Sequence, residues 1–388
     1  MIFDKPSAKK FETVRVEGFD DPLDDVAEIG KVLYRRIGDS DRVEVLRHSG
    51  TKASVAIPDS ISVAKCTFAV SEIGASAFEG CGGLAGITLP DSLESIGEGA
   101  FSGCSGLTDV TIPGEVRSIG ERAFAGCSGL RKVVMKGSPE TIAASAFDGC
   151  SSLKAFEVQK SGGRHMSDSR GLLYSGEMET LVRVPCGLDG TADIPSGVVE
   201  IGERACSGCS SMTTVRIPAS VRRIRDDVFS GCVRLALLYV DPRNTHYRSD
   251  LQGVLYDSKV TEVIRAPTGI VGALEIPNTV VRVCPYAFEG CNGLVSISIP
   301  FNTVEIGDSA FEGCTRVRSI SMAGSVVRIG DSAFRNCSGI VSVSIPDSVE
   351  TIGDRAFFGC SRLNSVSIPV EARIGEQAFP ANSDIVME

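Results

Sequence analysis

Along most of the chain the apolar positions recur in a fixed order rather than with a helical period. One stretch runs Cys81-Gly-Gly-Leu84-Ala-Gly-Ile87-Thr-Leu89-Pro90-Asp-Ser-Leu93-Glu-Ser-Ile96-Gly97-Glu-Gly-Ala100-Phe101. Leu84, Ile87 and Leu89 end in the alternation of a short half-buried strand, and Pro90 stops it. Gly97 follows Ile96, where the pattern predicts a backbone turn with positive φ. Ala100 and Phe101 then supply a small and a large inward residue. No apolar stripe at helical spacing is long enough for a stable helix. The pattern predicts a coil of strand, turn, irregular arc and return.

The coil repeats. Phe78, Phe101, Phe124 and Phe147 stand 23 residues apart, as do Phe288, Phe311, Phe334 and Phe357, and Phe379 follows after 22. Cys206 occupies the anchor position between the two sets, with Phe229 23 residues later. The gaps from Phe147 to Cys206 and from Phe229 to Phe288 are both 59 residues and superimpose at an offset of 82. Leu153 then falls on Leu235, Gly171 on Gly253, Tyr174 on Tyr256, Pro185 on Pro267, and Cys209 on Cys291. An 82-residue module is therefore present twice. One coil cannot bury its own apolar side, but stacking at roughly 4.8 Å per coil joins the sides into one core.

Residues 342–360, Ser-Val-Ser-Ile-Pro-Asp-Ser-Val-Glu-Thr-Ile-Gly-Asp-Arg-Ala-Phe-Phe-Gly-Cys, resemble the BspA-type leucine-rich repeat, a variant related to the treponemal leucine-rich repeat proteins. Gly171-Leu-Leu-Tyr174 and Gly253-Val-Leu-Tyr256, each followed by Val-Arg-x-Pro or Ile-Arg-x-Pro, resemble the longer repeat variant of the same family. The resemblance extends over about residues 32–380. It implies a right-handed, curved solenoid used for adhesion or protein recognition, and it does not imply an enzyme. Departures are visible: Met135-Lys136, Val158-Gln159 and Met322-Ala323 lack the Pro, Ala143 and Arg225 lack the Gly, and Cys206 lacks the Phe.

The expected architecture is a β-rich right-handed leucine-rich repeat stack of ~23-residue coils, with a concave parallel sheet and two longer insertion repeats. Residues 1–31 do not repeat and read as an acidic leader, flexible or weakly helical, with Asp20, Asp21, Asp24, Asp25 and Glu28. Residues 32–70 read as a β-rich N-terminal cap that shields the open end of the core, and 71–388 as the solenoid. The long repeats fall within 151–208 and 233–290, and a C-terminal cap occupies about 370–388. The chain as given shows no signal peptide and reads as cytoplasmic, or as surface-attached or secreted if a targeting segment has been removed.

Composition removes several function classes. Lys plus Arg number 39 against 49 Asp plus Glu, a net charge of −10 with no basic block, so nucleic acid and membrane insertion are not expected. Fourteen Cys invite a metal or redox reading. Ten of them (Cys81, Cys104, Cys127, Cys150, Cys209, Cys232, Cys291, Cys314, Cys337 and Cys360) lie three residues after the anchor, so they read as a core-facing ladder of small hydrophobes. Such a run of thiols fits a reducing compartment. Cys206-Ser-Gly-Cys209 is a Cys-x-x-Cys only because Cys took the anchor position. The three His (His48, His165 and His246) are placed in the cap and in the surface loops of the insertions, without acid or nucleophile spacing. No cofactor, no metal site and no catalytic constellation is expected, and the chain reads as a monomer.

Binding residues should lie where the outward strand positions stop repeating. The four C-terminal coils present only Ser there, as Ser296 and Ser298, Ser319 and Ser321, Ser342 and Ser344, and Ser365 and Ser367. The central coils instead offer Lys132, Val134, Glu157, Arg216, Leu237 and Tyr239, flanked by insertions that carry His165, Tyr174, His246, Tyr247 and Tyr256. The expected partner is a protein or a host or cell-surface component that docks between about residues 130 and 260 on these aromatic and Arg anchors. A spacer without a ligand and a glycan-binding adhesin are the alternatives.

Overall fold

The computed structural model describes residues 12–14, 23–159, 162–225, 227–381 and 383–387. The chain divides into two units, Met1–Gly187 and Leu188–Glu388, each a β-solenoid of stacked coils. No helix occurs among the described residues.

In the first unit a five-stranded parallel sheet is formed by Ser54–Ala56, Gly86–Thr88, Asp109–Ile112, Lys132–Met135 and Ala155–Val158. Its register is the sequence repeat itself, with Asp109 opposite Lys132 and Lys132 opposite Ala155. The two-residue strands Ser95–Ile96, Ser118–Ile119 and Thr141–Ile142 form a second parallel ladder that continues from Cys66–Ile73. This ladder runs on through Arg42–His48 into an antiparallel ribbon of Val32–Arg36, Leu23–Ile29 and Glu12–Val14. Within the leader expected at 1–31, the described residues Glu12–Val14 and Leu23–Ile29 are strands of this ribbon and not flexible or weakly helical, while 1–11 and 15–22 lie outside the described residues. Val26 and Ala27 are buried, so this acidic stretch carries enough apolar surface to be drawn into the sheet. Asp20 and Asp21 lie outside the described residues.

The second unit repeats the plan. Gly190–Asp193, Met212–Ile217 and Leu237–Val240 form one parallel sheet; Val271–Glu275, Gly293–Ile299 and Ser319–Met322 form another. Ser342–Ser344, Ser365–Ile368 and Asp384–Met387 form a third.

Between its strands each coil makes an arc around the anchor Phe. Phe78, Phe101, Phe124 and Phe147 stack with centroids 5.1, 5.1 and 5.3 Å apart, and His48 stacks on Phe78 at 5.2 Å, heading the column. Phe288, Phe311, Phe334, Phe357 and Phe379 form the matching column in the second unit, at 4.9 to 5.2 Å. The arc backbones are hydrogen-bonded from coil to coil, as in Phe101 N–H to Ala123 O and Gly103 N–H to Ala125 O, both 2.7 Å. To aim these groups along the stack, the residue two before the anchor is left-handed in the coils other than that of Phe147, even where it is Arg122 (φ 52°), Ser309 (φ 51°) or Arg355 (φ 55°). Two residues after the anchor the same conformation recurs at Gly103 (φ 74°), and Asn336 (φ 59°) takes that place in one coil.

Gly97 does not have positive φ, so its role as a turn former is corrected. A Cβ there would sit 2.8 Å from Ala75 N, 2.9 Å from Gly74 C and 3.0 Å from Ile73 O, all backbone of the preceding coil. Glycine is required because two coils touch. Where the sequence has Ala143 or Arg225 instead, the N–H bond to the preceding coil is 3.0 Å, against 2.8 Å at Gly97.

The ladder cysteines are free thiols with a specific bond. Cys104, Cys127 and Cys150 each donate Sγ–H to the anchor carbonyl of the preceding coil (Phe78, Phe101 and Phe124) at 3.1 Å. Cys337 and Cys360 do the same in the second unit. Burial pushes the Cys104, Cys127 and Cys360 thiols up to about 12, so they stay protonated and unreactive. Cys206 and Cys209 are buried thiols as well, and Cys232 bonds the Cys206 carbonyl at 3.1 Å. Cys81 departs from the ladder expectation. It is half-buried, because the cap rather than a full coil precedes it.

The insertions break this bond, and a buried arginine replaces it. After Phe147 the next coil's thiol is displaced by the insertion. Arg183, 3% exposed, reaches the Phe147 carbonyl at 3.5 Å and pairs with Asp148 at 3.0 Å. Arg265, 82 positions later, reaches the Phe229 carbonyl at 3.2 Å and pairs with Glu289 at 3.2 Å. A guanidinium thus takes the ladder thiol's place at the anchor carbonyl, with an acid beside it to offset the buried charge, and in the first unit the Cys186 thiol also reaches the Phe147 carbonyl, at 4.0 Å.

Replacement of Gly97 by Ala is expected to destabilise the protein by about 1–3 kcal/mol, since backbone must move to admit the methyl. Gly83→Ala, where a Cβ meets nothing within 4 Å, should be neutral or slightly stabilising. Urea unfolding midpoints decide the matter. Equal effects from the two substitutions would refute the contact explanation.

Candidate functional site

The residues singled out in the sequence separate into two groups. In the first unit Lys132, Val134 and Glu157 point outward from adjacent strands, Val134 in register with Glu157. Lys132 and Glu157 form an ion pair with each other, and the ammonium's hydrogen bond holds the Glu157 carboxyl below its usual value. Val134 is half-buried between its neighbours, so this group is largely satisfied within itself.

In the second unit, Leu237 and Tyr239 project outward from Leu237–Val240 while Leu238 and Val240 enter the core. Arg216 is opposite Tyr239 on the adjacent strand and reaches Asp193 at 3.4 Å. Beyond Val240 the chain leaves the coil. Asn244 fixes the exit: its amide donates to Pro218 O and Val221 O at 2.9 Å, while its Oδ1 accepts the His246 and Tyr247 N–H groups. Arg243 clamps Asp241 from two residues away and lowers that carboxyl to about 2.

The insertion then returns as an antiparallel hairpin, Tyr247–Ser249 with Leu255–Asp257. Ser249 Oγ accepts the Val240 N–H at 3.1 Å and pins the hairpin beside the sheet. At its tip, Asp250 Oδ1 accepts the Gln252 and Val254 N–H groups at 2.9 Å, and Oδ2 accepts the hydroxyl of buried Tyr256 at 3.1 Å. Leu251 is left wholly in solvent. Tyr247 is a strut: its hydroxyl accepts the Ile224 N–H at 3.0 Å. Between sheet and hairpin lies a cleft of about 800 Å³, with Leu237, Tyr239 and Pro242 on one side and Tyr247, Arg248 and Leu251 on the other. The structure thus gathers Leu237, Tyr239 and Tyr247 at one place. Leu251, Pro242 and Arg248 went unnoticed in the sequence. The available signal was an apolar residue inside an Asp-Leu-Gln-Gly turn.

The equivalent hairpin in the first unit has the same skeleton. Ser167 Oγ accepts the Val158 N–H at 2.9 Å, and Asp168 accepts the Tyr174 hydroxyl at 3.1 Å. Its lining differs: Ala155, Glu157, Met166 and Ser169 stand where Leu237, Tyr239, Arg248 and Leu251 stand in the other copy. His165 is not a surface residue as expected. It is buried, with Nδ1 bonded to Pro139 O at 2.8 Å, because its ring fills the space under the hairpin. Tyr174 and Tyr256 are likewise buried, so neither flanks a binding surface. His246 is exposed.

The serine positions are outward on their strands, Ser296 opposite Ser319 and Ser298 opposite Ser321, with Ser342 opposite Ser365 and Ser344 opposite Ser367. None of these hydroxyls is hydrogen-bonded to another group among the described residues.

Comparison with known proteins places this architecture. The BspA type leucine rich repeat region matches residues 59–167, 188–250 and 270–386, in six copies. The chain belongs to this family of BspA-type leucine-rich repeat proteins. Among solved structures it is similar to a leucine rich cell surface protein from Faecalibacterium prausnitzii A2-165, with 24% identity over 93% of this chain and 96% of that chain and a TM-score of 0.56. It also matches a leucine-rich repeat protein from Eubacterium ventriosum (21% identity, 88% and 86% covered, TM-score 0.41). A third match is the pneumococcal vaccine antigen PcpA (14% identity, 94% and 98% covered, TM-score 0.42). No curated protein matches the chain. BspA-type repeat proteins are generally non-enzymatic, and the fold is the part these structures share with this chain.

Burial holds the His165 and His48 imidazoles below their ordinary value. Their contribution to stability is therefore present above the unfolded value near 6.5 and is lost as pH falls through the lowered folded value, where the unfolded chain binds the extra protons. The melting temperature should drop between about pH 7 and about pH 5, and His165→Asn should flatten that drop. Identical pH slopes for the two proteins would exclude this role for His165.

Proposed function

We propose that the protein is a non-catalytic recognition module that binds a protein partner through the cleft beside the second hairpin. The observation that carries this reading is the apolar pair Tyr239 and Leu251, 44% and 106% exposed, which both line one preformed concavity. Solvent exposure of such side chains gains nothing for folding. On a partner they supply the buried aromatic and aliphatic contacts that dominate interface energies. The cleft is of a size that admits a few side chains of a docked segment. The first hairpin, built alike, lacks these residues, so the cleft's lining is a property of one copy and not of the repeat.

A cell-surface setting completes the reading, in keeping with the Faecalibacterium protein of similar fold. The thiol ladder does not oppose it. Its cysteines after Cys81 are buried, and burial suppresses ionisation of thiols such as Cys127, so an oxidising environment has little to attack there.

A photo-crosslinking amino acid at position 251 should capture one defined partner, whereas the same group at Ser321 should not. Against that partner, Tyr239→Ala with Leu251→Ala should weaken binding by about 2 kcal/mol or more without changing the melting temperature. Arg216→Ala should cost less, because Asp193 already engages its guanidinium. Unchanged affinity in the double variant would remove the cleft from consideration.

A further inference from the structure

The second unit carries a separate charged feature on its C-terminal coils. The segments that follow each ladder cysteine, residues 292–295, 315–318, 338–341 and 361–364, contain Arg316, Arg318 and Arg362 and no acidic residue. All three arginines are exposed, and none makes an ion pair or side-chain hydrogen bond among the described residues. By contrast, Arg328 pairs with Glu305 and Asp308 at 2.8 Å, and Arg335 with Glu312 at 3.3 Å. In a chain of net charge −10, three bare guanidinium groups in one place are a local reversal of sign.

They surround a shallow cavity of about 180 Å³, lined also by Val295, Thr315 and Gly339. Arg316 and Arg362 are two coils apart, about 10 Å by the spacing of the Phe column. Arg318 immediately precedes Ser319, so the basic rim borders the outward serine face.

We propose that this rim and the adjoining serine face bind an anionic polysaccharide. The guanidinium forks suit carboxylate or sulfate groups, which they hold through paired charge-assisted hydrogen bonds. Unengaged hydroxyls at coil spacing can both donate to and accept from sugar hydroxyls. The serine positions offer no aromatic platform on which nucleic-acid bases could stack, and the face is continued by Asp384 opposite Ser365 and exposed Val386 opposite Ser367. The site is distinct from the cleft beside the second hairpin and shares no residue with it.

The test is equilibrium binding of the intact chain to dextran sulfate and to polygalacturonate, which separate the sulfate from the carboxylate source. Neutral dextran, polyglutamate and single-stranded DNA serve as comparators. The chain should bind at least one of the two anionic polysaccharides, more weakly as salt rises, and should prefer it to all three comparators. Arg316→Gln, Arg318→Gln and Arg362→Gln combined should reduce that affinity at least about tenfold with an unchanged melting temperature. Arg335→Gln and Leu251→Ala should leave it unchanged. Binding to neither polysaccharide, full retention in the triple variant, or tighter binding of polyglutamate or DNA would overturn the proposal.

Discussion

Each coil of this protein satisfies its backbone only through its neighbours, about 5 Å away, and the rest of the structure follows from that requirement. At such a spacing, equivalent residues of successive coils are in contact, so every interior position must tolerate a copy of itself. Phenylalanine does so by stacking. The ladder cysteine does so by donating its thiol to the carbonyl of the coil before it, which an aliphatic side chain cannot do. Glycine after the isoleucine does so by having no side chain where two backbones meet. The left-handed residues flanking each Phe turn the arc's N–H and C=O groups along the stack, and their strain is spread over many coils and offset by the bonds they permit.

Function enters where that self-consistency is interrupted. The insertion hairpins remove the next coil from its place, and Arg183 and Arg265 take over the orphaned anchor carbonyls with acids beside them. The two copies then diverge in lining: Glu157 and Ser169 of the first stand where the second has Tyr239 and Leu251 at the edge of its cleft. The C-terminal coils depart from the pattern differently, through unpaired arginines at the rim of a uniform serine face.

The period of the Phe and Cys positions made the coil, its register and the duplicated 82-residue module legible from the residues, because contacts between identical positions leave identical letters. What could not be read was anything that depends on the distance between coils. Gly97 looks like a turn former in one dimension, and only the approach of Gly74 and Ala75 reveals its purpose. The burial of His165, Tyr174 and Tyr256 depends on which way each hairpin folds back, and hairpin sequence does not state that. The acidic stretch before Ile29 disguised a strand in which the buried apolar residues among those described, Val26 and Ala27, are adjacent and give no periodic signal. Leu237, Tyr239 and Tyr247 were legible as irregularities in the repeat, but their meeting with Leu251 required the fold.

The account holds that the two hairpins are one scaffold with two linings and that only the second lining recognises a partner. Grafting the sequence of residues 155–175 onto positions 237–257 tests this directly, since the 82-residue offset needs no insertion. The chimera should keep the far-ultraviolet spectrum and melting temperature of the native chain and lose affinity for the partner captured at position 251. A chimera that folds as the native chain does and still binds that partner with native affinity would contradict the account.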